Sequence, residues 1–205
     1  MSHAFLKRLV ILAGLGGSLT GCCSSSLEAP ALRAYVQDPA HGLVQHTTVG
    51  SAELTCAYRP TELLVAQELA NPNSITASPD SVRRQFAGRQ YFTLSLAQDG
   101  AEIENQFITN PTALTNALAY LNTGIAADVF LVTAGHDSIP ALTSAYPRQY
   151  GATGRSTVLL IFQASGLPQN QDFQLVYRDT HFGLGTVQFS FKGPDVVAIP
   201  TLKLP

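Results

Sequence analysis

Large apolar residues alternate with small or polar ones through much of this chain, and the repeat of two that results marks strands. Seven stretches read as strands: 50–58, 91–96, 128–133, 141–146, 156–162, 173–177 and 186–191. In 156–162, Val158, Leu160 and Phe162 point one way, and in 173–177 Phe173, Leu175 and Tyr177 are placed to face them. Two other stretches read as capped helices, and a third can form one. Residues 78–86 open with Ser78 as N-cap, Pro79 at the first helical position and Asp80 in the first turn, the arrangement that suits unpaired N–H groups and the positive end of the helix dipole. Residues 110–121 open with Asn110 and carry Leu114, Leu118 and Leu121 on one stripe, with Gly124 as the stop. Residues 61–70 follow Pro60 and stop at Asn71-Pro72, but Leu63, Val65 and Leu69 fix no single period, so a strand competes with the helix there.

The order of these elements sets the fold class. The last five strands follow one another with Gly, Pro and Asp between them, which suits a sandwich or barrel and not βαβ units. The reading is a mostly β (α+β) chain, with a single β-sandwich-like domain over 49–205 and two or three helices inserted in its N-terminal half. Residues 27–48, with Pro30, Pro39 and His41-Gly42, read as extended and irregular. No repeat of fixed period and no Gly/Ser-rich linker divides the body.

Composition changes the picture at the surface. Charged residues make up 13% of the 205, about half the usual share, so Gln, Asn, Ser and Thr must cover much of the exterior. The twelve Lys and Arg are scattered, and Arg83-Arg84 is the one adjacent pair beyond the N-terminus. Without a clustered basic face there is no counterion release to drive nucleic-acid binding, so that class of partner is excluded.

The first 21 residues have three parts: a start with Lys7 and Arg8, an apolar run over 9–15, and small residues over 16–21. This is the layout of a secretory signal peptide, and the apolar run is too short for the roughly 20 residues that span a bilayer. The exit reads Leu19-Thr20-Gly21-Cys22 and resembles the cleavage motif of bacterial lipoproteins. A thiol is the nucleophile that accepts a diacylglyceryl group, and small residues before it let the backbone enter a narrow peptidase groove. The resemblance implies removal of 1–21, acylation of Cys22, and a tether continuing into the segment 22–48. Two or three acyl chains would hold such a protein firmly on a membrane. By the sorting rule of enteric bacteria, position 23 not being Asp implies the outer membrane. The body is similar, in architecture alone, to immunoglobulin-like envelope lipoproteins and to uncharacterised short lipoproteins of Bacteroidetes-type bacteria. It lacks the Trp and the cross-strand Cys pair of antibody-type domains.

Candidate chemistry is sparse. With Cys22 lipidated, Cys23 and Cys56 remain; a disulfide between them is one reading and a buried Cys56 thiol on a strand is the favoured one. No Cys-x-x-Cys pair and no His pair at helical spacing supports a metal site, and no cofactor is expected. His136-Asp137 could orient an imidazole for base chemistry, although Gly135 to Pro140 reads as a turn. Glu102 and Glu104 could imitate a paired-carboxylate site and read more naturally as a solvated edge. Tyr146, Arg148, Tyr150 and Arg155 interleave aromatic and basic side chains and form the candidate binding stretch, with a glycan or an envelope protein as partner. Two functions follow: a non-catalytic binding or assembly module of the envelope, and, as the alternative, a surface hydrolase of glycans or peptides using His136, Asp137 or the Glu102/Glu104 segment.

Overall fold

The computed structural model describes residues 25–72, 78–167 and 170–204; Leu19, Thr20, Gly21, Cys22 and Cys23 lie outside them. In chain order the elements are β1 (Ser26–Leu27), α1 (Ala29–Gln37), β2 (Val44–Val49), β3 (Ala52–Tyr58), α2 (Thr61–Leu69), α3 (Pro79–Phe86), β4 (Arg89–Gln98), β5 (Ala101–Glu102), α4 (Pro111–Ala119), β6 (Val129–Thr133), β7 (Ser138–Ala145), β8 (Ser156–Gln163), β9 (Phe173–Arg178), β10 (Thr186–Phe191), α5 (Gly193–Val197) and β11 (Thr201–Leu202).

Local chemistry accounts for the helices. The Ser78 hydroxyl accepts the Ser81 N–H at 3.3 Å, and the Asn110 side chain accepts the Ala113 N–H at 3.1 Å, so α3 and α4 start at caps. α4 continues into a wide π turn (Tyr120–Gly124) and a 3-10 turn (Ile125–Asp128), which bury Tyr120, Leu121 and Ile125. In 61–70 the helix prevails over the strand, because Leu63, Val65 and Ala66 are buried together on it.

The strands form one antiparallel sheet in the order β10-β9-β6-β7-β8-β4-β3-β2, with β5 added to β4. β7 passes from one half to the other: Ser138 to Pro140 pair with β6, Ala141 to Ala145 pair with β8, and a bulge lies between Ala141 and Thr143. Such a bulge is how a sheet turns a corner. The sheet curls so that Phe92 of β4 sits 5.7 Å from Phe162, 6.1 Å from Phe173 and 5.5 Å from Phe191, ring centre to ring centre. Val158, Leu160 and Phe162 thus share a core with Phe173, Leu175 and Tyr177, as the alternation requires, and the domain is a β-sandwich-like α+β fold.

The segment 27–48 departs from its extended reading. It holds α1, whose Leu32 and Val36 are buried one helical turn apart, and the edge strand β2. Regular structure is therefore already present between Ser26 and Val49. β1 and β11 form a separate two-stranded parallel ribbon, so the chain's entry is paired with its last strand.

Candidate functional site

The clearest side-chain constellation is built where β4 turns into β5. Asp99 and Gly100 both take positive φ, β5 runs back for two residues, and the 3-10 turn Ile103–Phe107 follows. That path carries Glu102 and Glu104 inward. Neither is on a solvated edge: Glu102 is buried and Glu104 is 0% exposed. The physical reason is a set of waiting donors. The Tyr146 hydroxyl donates to Glu104 Oε1 at 2.5 Å, the Ser156 hydroxyl donates to Glu104 Oε2, and Arg148 Nε stands 3.8 Å from Oε1. Ser156 Oγ in turn accepts the Ile103 N–H at 3.1 Å, closing the network onto the backbone. Glu102 accepts the Gly151 N–H at 2.7 Å. A buried charge is tolerated when it is paired and hydrogen-bonded in this way. Burial, and then the Glu104 carboxylate, push the Tyr146 phenol above its ordinary pKa.

These carboxylates hold the loop that joins β7 to β8. Its four candidate residues divide in two: Tyr146 is buried and Arg148 half-buried against Glu104, whereas Tyr150 and Arg155 face solvent. Tyr150 is 79% exposed, and the Arg148 guanidinium carbon lies 4.8 Å from its ring centre. Tyr150 adopts φ 50°, the left-handed region, where an L residue other than Gly pays roughly 1–2 kcal/mol. Among the described residues the other non-Gly positions with positive φ are Asp99, His136 and Asn170, the residue types that tolerate it best.

The loop sits at one end of the strands. Ser156 pairs with Leu96, near the β4–β5 turn, while Arg59 and the start of α2 follow Tyr58 at the opposite end, where the Arg59 N–H bonds Tyr91 O at 2.8 Å. There α2 meets β11, the Leu202 N–H donating to Glu62 at 2.9 Å. From Tyr91 to Gln98 a strand covers roughly 25 Å, which separates the chain's entry at β1 and β11 from the tyrosine loop. A second polar group shares the loop's end. Tyr120 donates to Asp128 at 2.8 Å and carries His181 stacked on its ring at 3.9 Å, while Tyr177 donates to Asp179 at 2.7 Å. Asp179 also accepts the N–H groups of His181, Phe182 and Leu184, so its carboxylate shapes the β9–β10 loop.

His136 and Asp137 are exposed in the β6–β7 turn, closed by a Thr133 N–H to Asp137 O bond of 3.0 Å. His136 borders a cleft of about 350 Å³ shared with Asp172, Phe173, Phe191 and Lys192. Cys56 is a fully buried free thiol, pushed up in pKa by that burial, as its place on β3 suggested. Among the described residues no three His, Cys, Asp or Glu side chains converge as a metal site.

The pairing of Glu104 with Tyr146 and Ser156 escapes sequence reading, since 42 and 52 residues separate the partners. The isolated Ala101-Glu-Ile-Glu104 between apolar strands was the one local signal.

No protein-family profile matches this chain, and no curated protein matches it. Among solved structures it is similar to a DUF4426 family protein from Pseudomonas aeruginosa, at 11% identity and a TM-score of 0.35, over 73% of this chain and 91% of that one.

Proposed function

We propose that this chain is a lipid-anchored protein of the bacterial cell envelope, attached through Cys22 and sorted to the outer membrane, that works as a non-catalytic binding or assembly module. The anchor rests on Leu19-Thr20-Gly21-Cys22 after the apolar run. The observation that carries the binding role is the polarity of the body. The chain enters beside β11 at one end, and two buried carboxylates fix an exposed, strained tyrosine at the other. Strain of this kind persists where the surroundings over-determine it, and it gathers at sites of recognition.

The hydrolase alternative draws less support. General acid–base work requires a carboxyl within hydrogen-bond reach of substrate, and Glu104 has no solvent-facing surface. His136 and Asp137 lie in an exposed turn far along the sheet from the carboxylates.

Two measurements test the proposal. Membrane fractionation should lose the protein when Cys22→Ala is made, and a variant retained as firmly as the original removes the anchor. A pulldown from solubilised envelope should recover a partner with the intact chain and lose it with Tyr150→Ala and Arg155→Gln together. Turnover of a glycan or peptide library that His136→Ala or Glu104→Gln abolishes would establish the hydrolase instead.

A further inference from the structure

We infer that the ligand of the tyrosine loop is an acidic saccharide, a sugar ring stacking on Tyr150 while its carboxylate meets the guanidinium groups of Arg148 and Arg155; this rests on the binding role proposed above.

Four observations point to that chemistry. Tyr150 offers a flat aromatic face that is 79% exposed, in a backbone conformation that Tyr rarely takes. The conformation is locked from below, because Glu102 binds the N–H of the next residue and Glu104 binds Tyr146 four residues earlier. A backbone already fixed in place loses little freedom when a ligand lies on the side chain it carries. The Arg148 guanidinium covers Tyr150 from one side and, apart from its 3.8 Å approach to Glu104, has no hydrogen-bond acceptor among the described residues. Its Nε is buried against Glu104, and the terminal Nη groups are left to meet a carboxylate. Arg155, five residues after Tyr150, is exposed and has no ion pair among the described residues. The negative charges of the cluster lie inward, at Glu102 and Glu104, so the outer surface of the loop presents cations and an aromatic face.

A peptide is the weaker fit. An extended peptide binds most readily by adding a strand at a sheet edge, and the edges of the main sheet are β2 and β10. The loop joins β7 and β8, both of which are paired on each side, so it has no free ladder to extend.

The test is titration of the purified full chain with three probes: tri-galacturonate, a neutral oligosaccharide of the same length, and a short poly-glutamate peptide. Calorimetry should show saturable binding of tri-galacturonate, at least tenfold tighter than the neutral sugar. Tyr150→Ala should weaken it tenfold or more, Tyr150→Phe should leave it within threefold, and Arg155→Gln should weaken it several-fold and flatten its salt dependence. Equal affinity for the neutral sugar overturns the inference, and so does indifference to Tyr150→Ala or no binding of either sugar. Capture of poly-glutamate alone, lost with Tyr150→Ala, overturns the saccharide while leaving the binding module standing. Recovery of the envelope partner that is unchanged by the loop variants overturns the module itself.

Discussion

Tyr146 donates its hydroxyl to Glu104 at 2.5 Å across the end of the sandwich, and both residues are out of water. One bond therefore ties the β7–β8 loop to the turn after β5, and what happens to Glu104 happens to the loop.

Removing that carboxylate should be costly. Glu104→Ala leaves the buried Tyr146 and Ser156 hydroxyls without their acceptor and Arg148 without its ion pair, and each buried polar group left unsatisfied costs about 1–3 kcal/mol. Glu104→Gln keeps the volume and an acceptor and should cost less. Urea unfolding monitored by circular dichroism measures both, and a loss under about 1 kcal/mol for Glu104→Ala would show that the loop does not depend on this network.

Gly154 is held at φ 64°, and a Cβ there would come within 2.8 Å of Gly100 O. Gly154→Ala should cost about 1–2 kcal/mol from the left-handed backbone alone, with the close approach to the β4–β5 turn adding to it. The expected reading is a lowered thermal midpoint, and an unchanged midpoint would mean the two turns can separate freely.

Cys56 should be chemically silent in the folded protein. It is fully buried, and burial raises its pKa, so little thiolate forms near neutrality. In a Cys22→Ala, Cys23→Ser background, a disulfide-exchange reagent should label no thiol until guanidinium is added. Labelling within minutes under native conditions would contradict the buried placement.

Acid stability should depend on Glu62. Burial alone would raise its pKa, but the Arg83 side-chain hydrogen bonds, the Leu202 N–H and the Arg83 charge together outweigh burial and hold it below its ordinary value. A carboxyl depressed in the folded state adds stability above its unfolded pKa of about 4.3, and this is lost as pH falls through the lower folded value. The stability of the parent should therefore fall more steeply than that of Glu62→Gln as the pH is lowered from 5 towards 3. Parallel curves in urea titrations across that range would remove Glu62 from the acid response.

What the sequence made legible follows from the range of the forces involved. β10 was readable to the residue, because Val187, Phe189 and Phe191 alternate cleanly against Thr186, Gln188 and Ser190. The caps Ser78 and Asn110 were readable because their bonds close within three residues. α1 was not, since Pro30 stands in its first turn, Pro39 follows its end, and only Leu32 and Val36 mark its buried face. β2 was not either: an edge strand with Gln45, His46, Thr47 and Thr48 need not alternate apolar residues. At the candidate site, the interleaving of Tyr and Arg over 146–155 was visible, but which of them turn inward was decided by Glu102 and Glu104. Those partners come from another part of the chain, and no local pattern encodes them.

The parallel ribbon of β1 and β11 has a practical meaning for anyone who builds on this protein. Ser26 pairs with Thr201, so the first and last strands of the described residues lie side by side. A fluorescent protein or epitope fused after Leu204 would sit at the β1 and β11 end of the body, away from the tyrosine loop. An insertion at the other end would have to spare the β9–β10 loop, which Asp179 holds through the N–H groups of His181, Phe182 and Leu184.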